Sequence, residues 1–316
     1  YEKAERALAS AARCGQGSPG IAHMWHMPGH IYSKLKRYHD SAWQQEASAR
    51  VDHAHMMRDR VMPDQIHNFA HNNEWLIRNL NHLGRVSDAV ALARNMIELP
   101  RHPKYNSLAK PGAPTEFGKR GSARYGRTRL LETLLRYEMW EEIIDASQTV
   151  YLEPTTIPEE QAKRLAAVGA AHYALGQAEK GAGVLGQFGD LEDAVKERKR
   201  AALAKAEKEA KKGKKNEKET KKARENAVKP FDDRLKTIHQ YRAELLAYQA
   251  VEDGDADAFK QQIAKAGKLS HGRKSQLHLQ IGDKAEAVKL AAKAARTEAQ
   301  VQPLANHADI LWRSGK

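Results

Sequence analysis

Apolar residues recur along the chain with the period of about 3.6 that is typical of amphipathic helices. Three segments also share one turn register, in which a large aliphatic residue is followed by Gly and, six positions after the aliphatic residue, by a small residue. They are LGRVSDAVALA (83–93), LGQAEKGAGVL (175–185) and IGDKAEAVKLA (281–291), with looser versions at 35–43, 135–143 and 252–260. The Gly allows one helix to end in a left-handed turn, and the small residue allows the next helix to pack closely against it. The pattern therefore predicts helices that come in pairs.

This register is the helix-turn-helix signature of tetratricopeptide repeats, although a strict 34-residue period is absent. No stretch keeps the period-2 alternation of a half-buried strand, and only 6% of the residues are aromatic. We therefore expect an all-α fold, a tetratricopeptide-like α-solenoid of antiparallel helix pairs with a charged helical insertion.

The repeats are interrupted twice, which predicts five segments. These are the N-terminal His-rich helical repeats (1–105), a Gly/Pro/Lys-rich loop (106–126), further helical repeats (127–189), a Lys-rich charged insertion (190–229) and C-terminal helical repeats (230–316). The last repeat is incomplete, because PLANHADILWRSGK (303–316) reads as the first helix and turn of another pair. We therefore expect the chain to be part of a longer protein.

The positive charge is concentrated in one segment. Residues 196–229 contain 15 Lys/Arg against 6 Asp/Glu, so they account for +9 of the formal net charge of +13. A charge run of this kind is typical of a solvated helix, which we expect to be broken or frayed near Gly213. The segment has no aromatic residue on which a base could stack, so the pattern does not favour a nucleic-acid partner.

Two further classes are excluded by composition. No run of 18 apolar residues occurs, so no membrane-spanning helix is expected. Cys14 is the sole cysteine, so no disulfide can form within the chain. The compartment, periplasmic or cytoplasmic, stays open.

Ten of the 15 histidines lie within residues 1–102. One helix is predicted to begin at Pro28, a favoured first helical residue, with His30 on this helix and His26 just before it. A second helix is predicted over 64–82, where three residues at i, i+4 and i+8 share one face: His67, His71 and Trp75.

One interpretation of these helices is a metal site. Two histidines at i and i+4 lie one above the other on a helix and can bind one ion. The candidate ligands are His26, His30, His67 and His71, with Glu74 as a further ligand or a base. The ion would be zinc, copper or iron, and the nearby Met24, Met27, Met56 and Met57 would favour copper. The sequence lacks H-E-x-x-H and identifies no carboxylate that would orient a ligand histidine.

The other interpretation, which the pattern favours, is a polar packed surface that binds a protein or peptide partner. Its candidate residues are His67, Asn68, His71, Asn72, Trp75 and Arg78. No catalytic residue is assigned, and we do not expect this region to catalyse a reaction by itself.

The stretches IAHMWHMPGHIY (21–32) and YHDSAWQQEASARVDHAHMMRDRVMPDQIHNFAHNNEWLIRNL (38–80) resemble a bacterial, planctomycete-type tetratricopeptide family with an H-M-P-small-H-I motif. His26, Pro28, His30 and Ile31 match that motif, and His71-Asn72 matches a downstream His-Asn. The resemblance implies a scaffold module that precedes a redoxin (peroxiredoxin-type) domain of the same chain. The cysteines of such a domain are absent here, so no thiol chemistry is assigned.

Overall fold

The computed structural model describes residues 4–66, 68–102, 121–213, 216–298 and 301–315. These residues form fourteen α-helices and two short 3-10 helices, Ala4–Ala7 and Pro63–Gln65, and contain no β-strand, so the all-α prediction is confirmed. The α-helices are α1 (Leu8–Gly17), α2 (Ala22–Lys34), α3 (Tyr38–Asp59), α4 (Phe69–His82), α5 (Val86–Glu98), α6 (Ser122–Arg136), α7 (Trp140–Ser147), α8 (Pro158–Ala174), α9 (Ala178–Lys212), α10 (Glu217–Glu252), α11 (Ala256–Lys265), α12 (His271–Gln280), α13 (Lys284–Glu298) and α14 (Val301–Arg313).

The chain divides into two compact units. The first comprises Tyr1–Glu153 with Ala299–Ala305, and the second comprises Pro154–Glu298 with Asn306–Lys316. In the first unit each helix from α1 to α7 packs against the next one, and α4 also packs against α6. In the second unit α8, α9 and α10 pack against one another, α10 also contacts α11 and α12, and α12 packs against α13.

Six turns between consecutive helices share one backbone geometry in the described ranges. Their left-handed residues are Lys36, Gly84, Glu138, Gly176, Gly254 and Gly282. The N–H of the following residue donates to a carbonyl five positions back, as from Arg85 to Leu80 at 2.9 Å, which is the Schellman arrangement of a helix end. The small residue predicted to follow is indeed buried: Ala89 and Ala287 are both 0% exposed. The predicted turns are therefore present, and the looser versions share their backbone geometry, although a large residue, Ile143 or Phe259, is buried at the position of the small residue in two of them.

The core of the first unit lies between α4, α5 and α6. Its fully buried aliphatic side chains are Ile77, Met96, Leu130 and Leu134. Gly126 lets α6 approach α5 closely, because a Cβ at this position would lie 2.7 Å from the Ala93 carbonyl oxygen. This packing places α6 beside α4, where it contributes to the candidate site.

The core of the second unit is built on α8, α9 and α10. Phe188, Leu165, Ile238 and Leu245 are at most 2% exposed. A smaller cluster joins α12 and α13 to α14 through Leu279, Ala287, Ala291 and Ile310.

Helices cross the boundaries of two of the predicted segments. Helix α6 begins at Ser122, so the helix extends into the last residues of the predicted loop 106–126, and residues 103–120 lie outside the described residues. The predicted insertion 190–229 is continuous with its flanking segments, because α9 and α10 run through it and pack against each other. Helix α9 ends at Lys212 with Gly213 as its C-cap, in agreement with the predicted break.

Among the described residues, no helix is both long enough and apolar enough to cross a bilayer.

Candidate metal centre

Helix α2 carries three histidines on one face. The prediction that a helix begins at Pro28 is wrong, because α2 begins at Ala22 and Pro28 lies inside it. Proline lacks the N–H that would bond to the carbonyl four positions back, so its presence inside a helix needs support from other contacts. Since the helix continues through Pro28, His23, His26 and His30 lie at i, i+3 and i+7 and share a face.

Polar side chains of α3 support α2 at successive carbonyl groups. Ser48 Oγ donates to the Ala22 carbonyl at 2.7 Å, Gln45 Nε2 to the His26 carbonyl at 3.2 Å, and Ser41 Oγ to the Gly29 carbonyl at 2.8 Å. Ser41, Gln45 and Ser48 are all 0% exposed. The interface between α2 and α3 is thus held by directional hydrogen bonds as well as by packing.

Helix α4 is joined to α3 by a buried hydrogen bond. Asn72 Nδ2 donates to Asp52 Oδ2 at 2.7 Å, and Asn72 is 0% exposed. Burial raises the pKa of Asp52 to about 6, although the hydrogen bond from Asn72 opposes this rise. The neighbouring His71 is half-buried and faces α2.

His26, His30 and His71 converge. One ring nitrogen from each lies within 4.8 Å of the corresponding nitrogens of the other two. The ring centroid of His26 lies 4.3 Å from that of His30 and 4.9 Å from that of His71. A tetrahedral ion with metal–nitrogen bonds of 2.0–2.1 Å holds its ligand nitrogens roughly 3.3 Å apart. Small side-chain rotations would therefore bring these three imidazoles to the distances that a zinc-like ion needs.

The first oriented imidazole is His26. Its Nδ1 lies 2.7 Å from Gln45 Oε1, and Gln45 Nε2 donates to the His26 carbonyl. Because the amide nitrogen is committed to that carbonyl, the amide oxygen faces the ring and accepts a proton from Nδ1. This leaves the Nε2 lone pair of His26 available for a ligand.

The second oriented imidazole is His71. Its Nδ1 lies 3.1 Å from Glu74 Oε1, and a carboxylate can only accept this hydrogen bond. The other oxygen, Glu74 Oε2, accepts from Arg129 Nη2 at 2.6 Å and from Nε at 2.9 Å. Burial would raise the pKa of Glu74, but the hydrogen bond from His71 and the charge of Arg129 lower it below its usual value. Glu74 is therefore an anion that accepts a hydrogen bond from the Nδ1–H of His71 and fixes the orientation of its ring.

Two of the three histidines, His26 and His30, have a lowered pKa, which favours their neutral form. Burial, and then the proximity of His30, lowers the pKa of His26 from 6.5 to about 4. Burial, then His71, lowers the pKa of His30. Neutral imidazole is the form that binds a metal ion.

The cluster opens on a cavity of about 380 Å³. Besides the three histidines, the cavity is lined by His23, Met27, Asn68 and Tyr125. The lining combines hydrogen-bonding groups, one thioether and one phenol, which is the mixed character of sites for small molecules.

The other predicted site residues are distributed as follows. Asn68 lines the cavity, whereas Asn72 is buried and donates a hydrogen bond to Asp52. Trp75 lies between His30, at 4.4 Å between ring centroids, and the half-buried Arg78, whose guanidinium is 4.1 Å from the Trp75 ring. His67 lies outside the described residues.

Glu74, predicted as a further ligand or a base, contacts His71 and Arg129. Both of its oxygens have hydrogen-bond donors, His71 Nδ1 for one and the Arg129 guanidinium for the other. The sequence identifies no carboxylate that would orient a ligand histidine, but in the structure Glu74 accepts a hydrogen bond from His71 Nδ1. The i, i+3 spacing from His71 is the signal that identifies it.

Two residues of the site were missed by sequence reasoning. Gln45 lies 19 positions from His26, and Arg129 lies 55 positions from Glu74. Neither stands in a motif, so only the packing of α3 and α6 reveals them. Of the methionines suggested as thioether donors, Met27 lines the cavity, whereas Met57 is 64% exposed.

Comparison with known proteins gave no further assignment: no protein-family model matches the chain, and no curated protein matches it.

Proposed function

We propose that this protein binds one divalent transition-metal ion through His26, His30 and His71. The observation that carries the proposal is the convergence of their ring nitrogens within 4.8 Å of one another. Among the described residues this is the only such group of three potential ligands.

The chemistry of the donors indicates which ions would bind. Imidazole nitrogen suits zinc, copper, iron and nickel, whereas magnesium and calcium prefer oxygen ligands. Three imidazoles are also the ligand set of one class of catalytic zinc sites. A bound ion beside the cavity could polarise a small molecule or lower the pKa of a water molecule there.

The experiment is metal loading of the purified protein. The protein is stripped with a chelator, dialysed against zinc, copper(II) or iron(II), and its metal content is measured by elemental analysis. We expect one equivalent of tightly bound ion in the wild type. The His71→Ala variant, which replaces a half-buried side chain at the cavity, should lose that equivalent.

The matched control is His53→Ala, which removes an exposed histidine of α3 in the same unit. It should keep the tight equivalent, since His53 does not belong to the cluster. The proposal fails if the wild type takes up no stoichiometric ion from any of these metals. It also fails if His53→Ala and His71→Ala lose metal equally, because that result indicates unspecific surface binding.

A second function is favoured by the turn geometry. We propose that the helix pairs within each unit are tetratricopeptide-like and that the chain acts as a scaffold for a protein or peptide partner. The six Schellman turns, each followed five residues later by a buried residue in the next helix, support this arrangement. The partner suggested by the resemblance is a redoxin-type domain.

The half-buried pair Trp75 and Arg78 is the part of the predicted partner surface on which this second function can be tested. Affinity capture from cells expressing the protein would be compared between the wild type and Trp75→Ala/Arg78→Ala. Trp43→Ala serves as control, because Trp43 is 53% exposed and belongs to no predicted surface. Capture of the same proteins in equal amount by all three would argue against this surface.

A further inference from the structure

Glu74 and Arg129 form a chain of contacts behind the cluster that the metal proposal does not require. His71 Nδ1 meets Glu74 Oε1 at 3.1 Å, and Glu74 Oε2 accepts two hydrogen bonds from the Arg129 guanidinium. Arg129 Nη1 also donates to Glu132 Oε2 at 2.5 Å. The chain connects a residue of α4 to α6, a helix that supplies none of the three imidazoles.

We propose that Glu74 is a positioning residue that sets the metal affinity of His71, and that Arg129 holds Glu74 in place. This inference rests on the proposed metal site. Glu74 has no contact with the ion in the proposal and acts only through His71.

The physical argument starts with the proton on Nδ1. An imidazole that donates Nδ1–H to a carboxylate presents Nε2 as its lone-pair nitrogen, and the carboxylate makes that nitrogen more basic. The hydrogen bond also removes the freedom of the ring to rotate about its Cβ–Cγ bond. Both effects strengthen a bond from Nε2 to an ion.

The position of Glu74 makes this contact persistent. Its side chain is 8% exposed and that of Arg129 is 18% exposed, so water competes little for either group. Both oxygens of Glu74 have fixed donors, since His71 bonds one and Arg129 bonds the other twice. An exposed carboxylate would instead be solvated and would hold the ring weakly.

The two oriented ligands differ in one respect. His26 donates to a neutral amide, Gln45, whereas His71 donates to an anion. Loss of Gln45 should therefore misplace a ligand, while loss of the Glu74 charge should weaken a ligand that is still in place. This contrast separates a structural role from an electrostatic one.

The test is a metal-affinity measurement by competition with a chromophoric zinc chelator. Glu74→Gln keeps the size of the side chain and an acceptor oxygen but removes the charge. We expect its zinc dissociation constant to rise by about 10- to 100-fold, which is the usual effect of losing such a partner. The matched control is Glu132→Gln, which removes the other carboxylate on Arg129 without contacting His71, and it should bind zinc nearly as tightly as the wild type.

A second measurement reports the ring itself. In zinc-loaded protein with ¹⁵N-labelled histidine, the wild-type His71 should show a protonated Nδ1 and a metal-bound Nε2. Glu74→Ala should lose this fixed assignment, whereas a Glu74 that merely supports the helix would leave it unchanged.

The outcomes are distinguishable from failure of the metal site. If the wild type binds no zinc, the proposed function is wrong. If the wild type binds zinc and Glu74→Gln binds it equally tightly, with His71 unchanged by NMR, the metal site stands and the positioning role is overturned.

Discussion

Replacement of Gly29 by Ala tests the close contact between α2 and α3. A Cβ at this position would overlap the amide nitrogen of Gln45 and come within 2.9 Å of its Cδ. The Gln45 side chain must therefore move, and its two hydrogen bonds to His26 would break. In a helix without such a neighbour, the same substitution would be favourable by roughly 0.8–1 kcal/mol.

The magnitude follows from the opposing effects. Breaking the contacts leaves buried polar groups of Gln45 and His26 unpaired, at roughly 1–3 kcal/mol for each group left unsatisfied. Overpacking contributes about 1–3 kcal/mol more. After the gain in helix propensity is subtracted, we expect Gly29→Ala to lower the free energy of unfolding of the first unit by about 2 kcal/mol or more.

The assay is urea denaturation combined with hydrogen exchange of α2 and α3 peptides. Gly183→Ala is the control, because Gly183 lies inside α9 with nothing within 4 Å of its Cβ position. It should leave stability unchanged or raise it. The double variant Gly29→Ala/Gln45→Ala removes the clash. Its loss of unfolding free energy should therefore be smaller than the sum of the losses of the two single variants. A Gly29→Ala protein as stable as the wild type would refute the reasoning.

Three further outcomes are expected. Burial raises the pKa of Glu244 from 4.5 to about 7, so the folded state binds this proton more tightly than the unfolded chain. The wild type should therefore lose stability as pH rises from 4.5 to 7, by on the order of 3 kcal/mol relative to Glu244→Gln. The measurement is urea unfolding across that pH range. The control Glu225→Gln, which changes an exposed residue, should show the same pH dependence as the wild type. Gly84→Ala should cost about 1–2 kcal/mol in thermal denaturation, because its φ of +73° is strained for an L-residue. Phe188→Ala should cost about 3–5 kcal/mol in the same assay, because it opens a cavity at a fully buried position.

The helix pairs could be predicted because their signal is local. The Gly and the small residue that follows it lie within one turn and its flanking helices, and both are read directly from the chain. The looser versions 35–43 and 135–143 also contain turns of this geometry, with Lys36 and Glu138 in place of a glycine. Pro28 was misread because its side chain favours a helix start, while the support that permits it inside a helix comes from α3.

The site was predictable only in part, for the same reason. His26 and His30 lie four residues apart, so their proximity follows from helix geometry alone. That they meet His71 depends on how α2 and α4 both pack against α3, which no local pattern specifies. The contacts of Glu74 could not be read from the sequence, because its spacing to His71 suggests a shared ion equally well as a hydrogen bond, and Arg129 lies 55 positions away.

The hydrogen bonds from Ser41, Gln45 and Ser48 to α2 carbonyls have a consequence for how the molecule could be redesigned. A purely apolar interface between two helices tolerates a shift of one helix along the other by a fraction of a turn, because one methyl group packs nearly as well as the next. Because each of the three side chains donates to one particular carbonyl of α2, the hydrogen bonds admit only one alignment of the two helices. Replacing Ser41, Gln45 and Ser48 by leucine would bury more apolar surface. It would also remove the hydrogen bonds that fix the position of α2, and with it the position of His26 and His30 relative to His71.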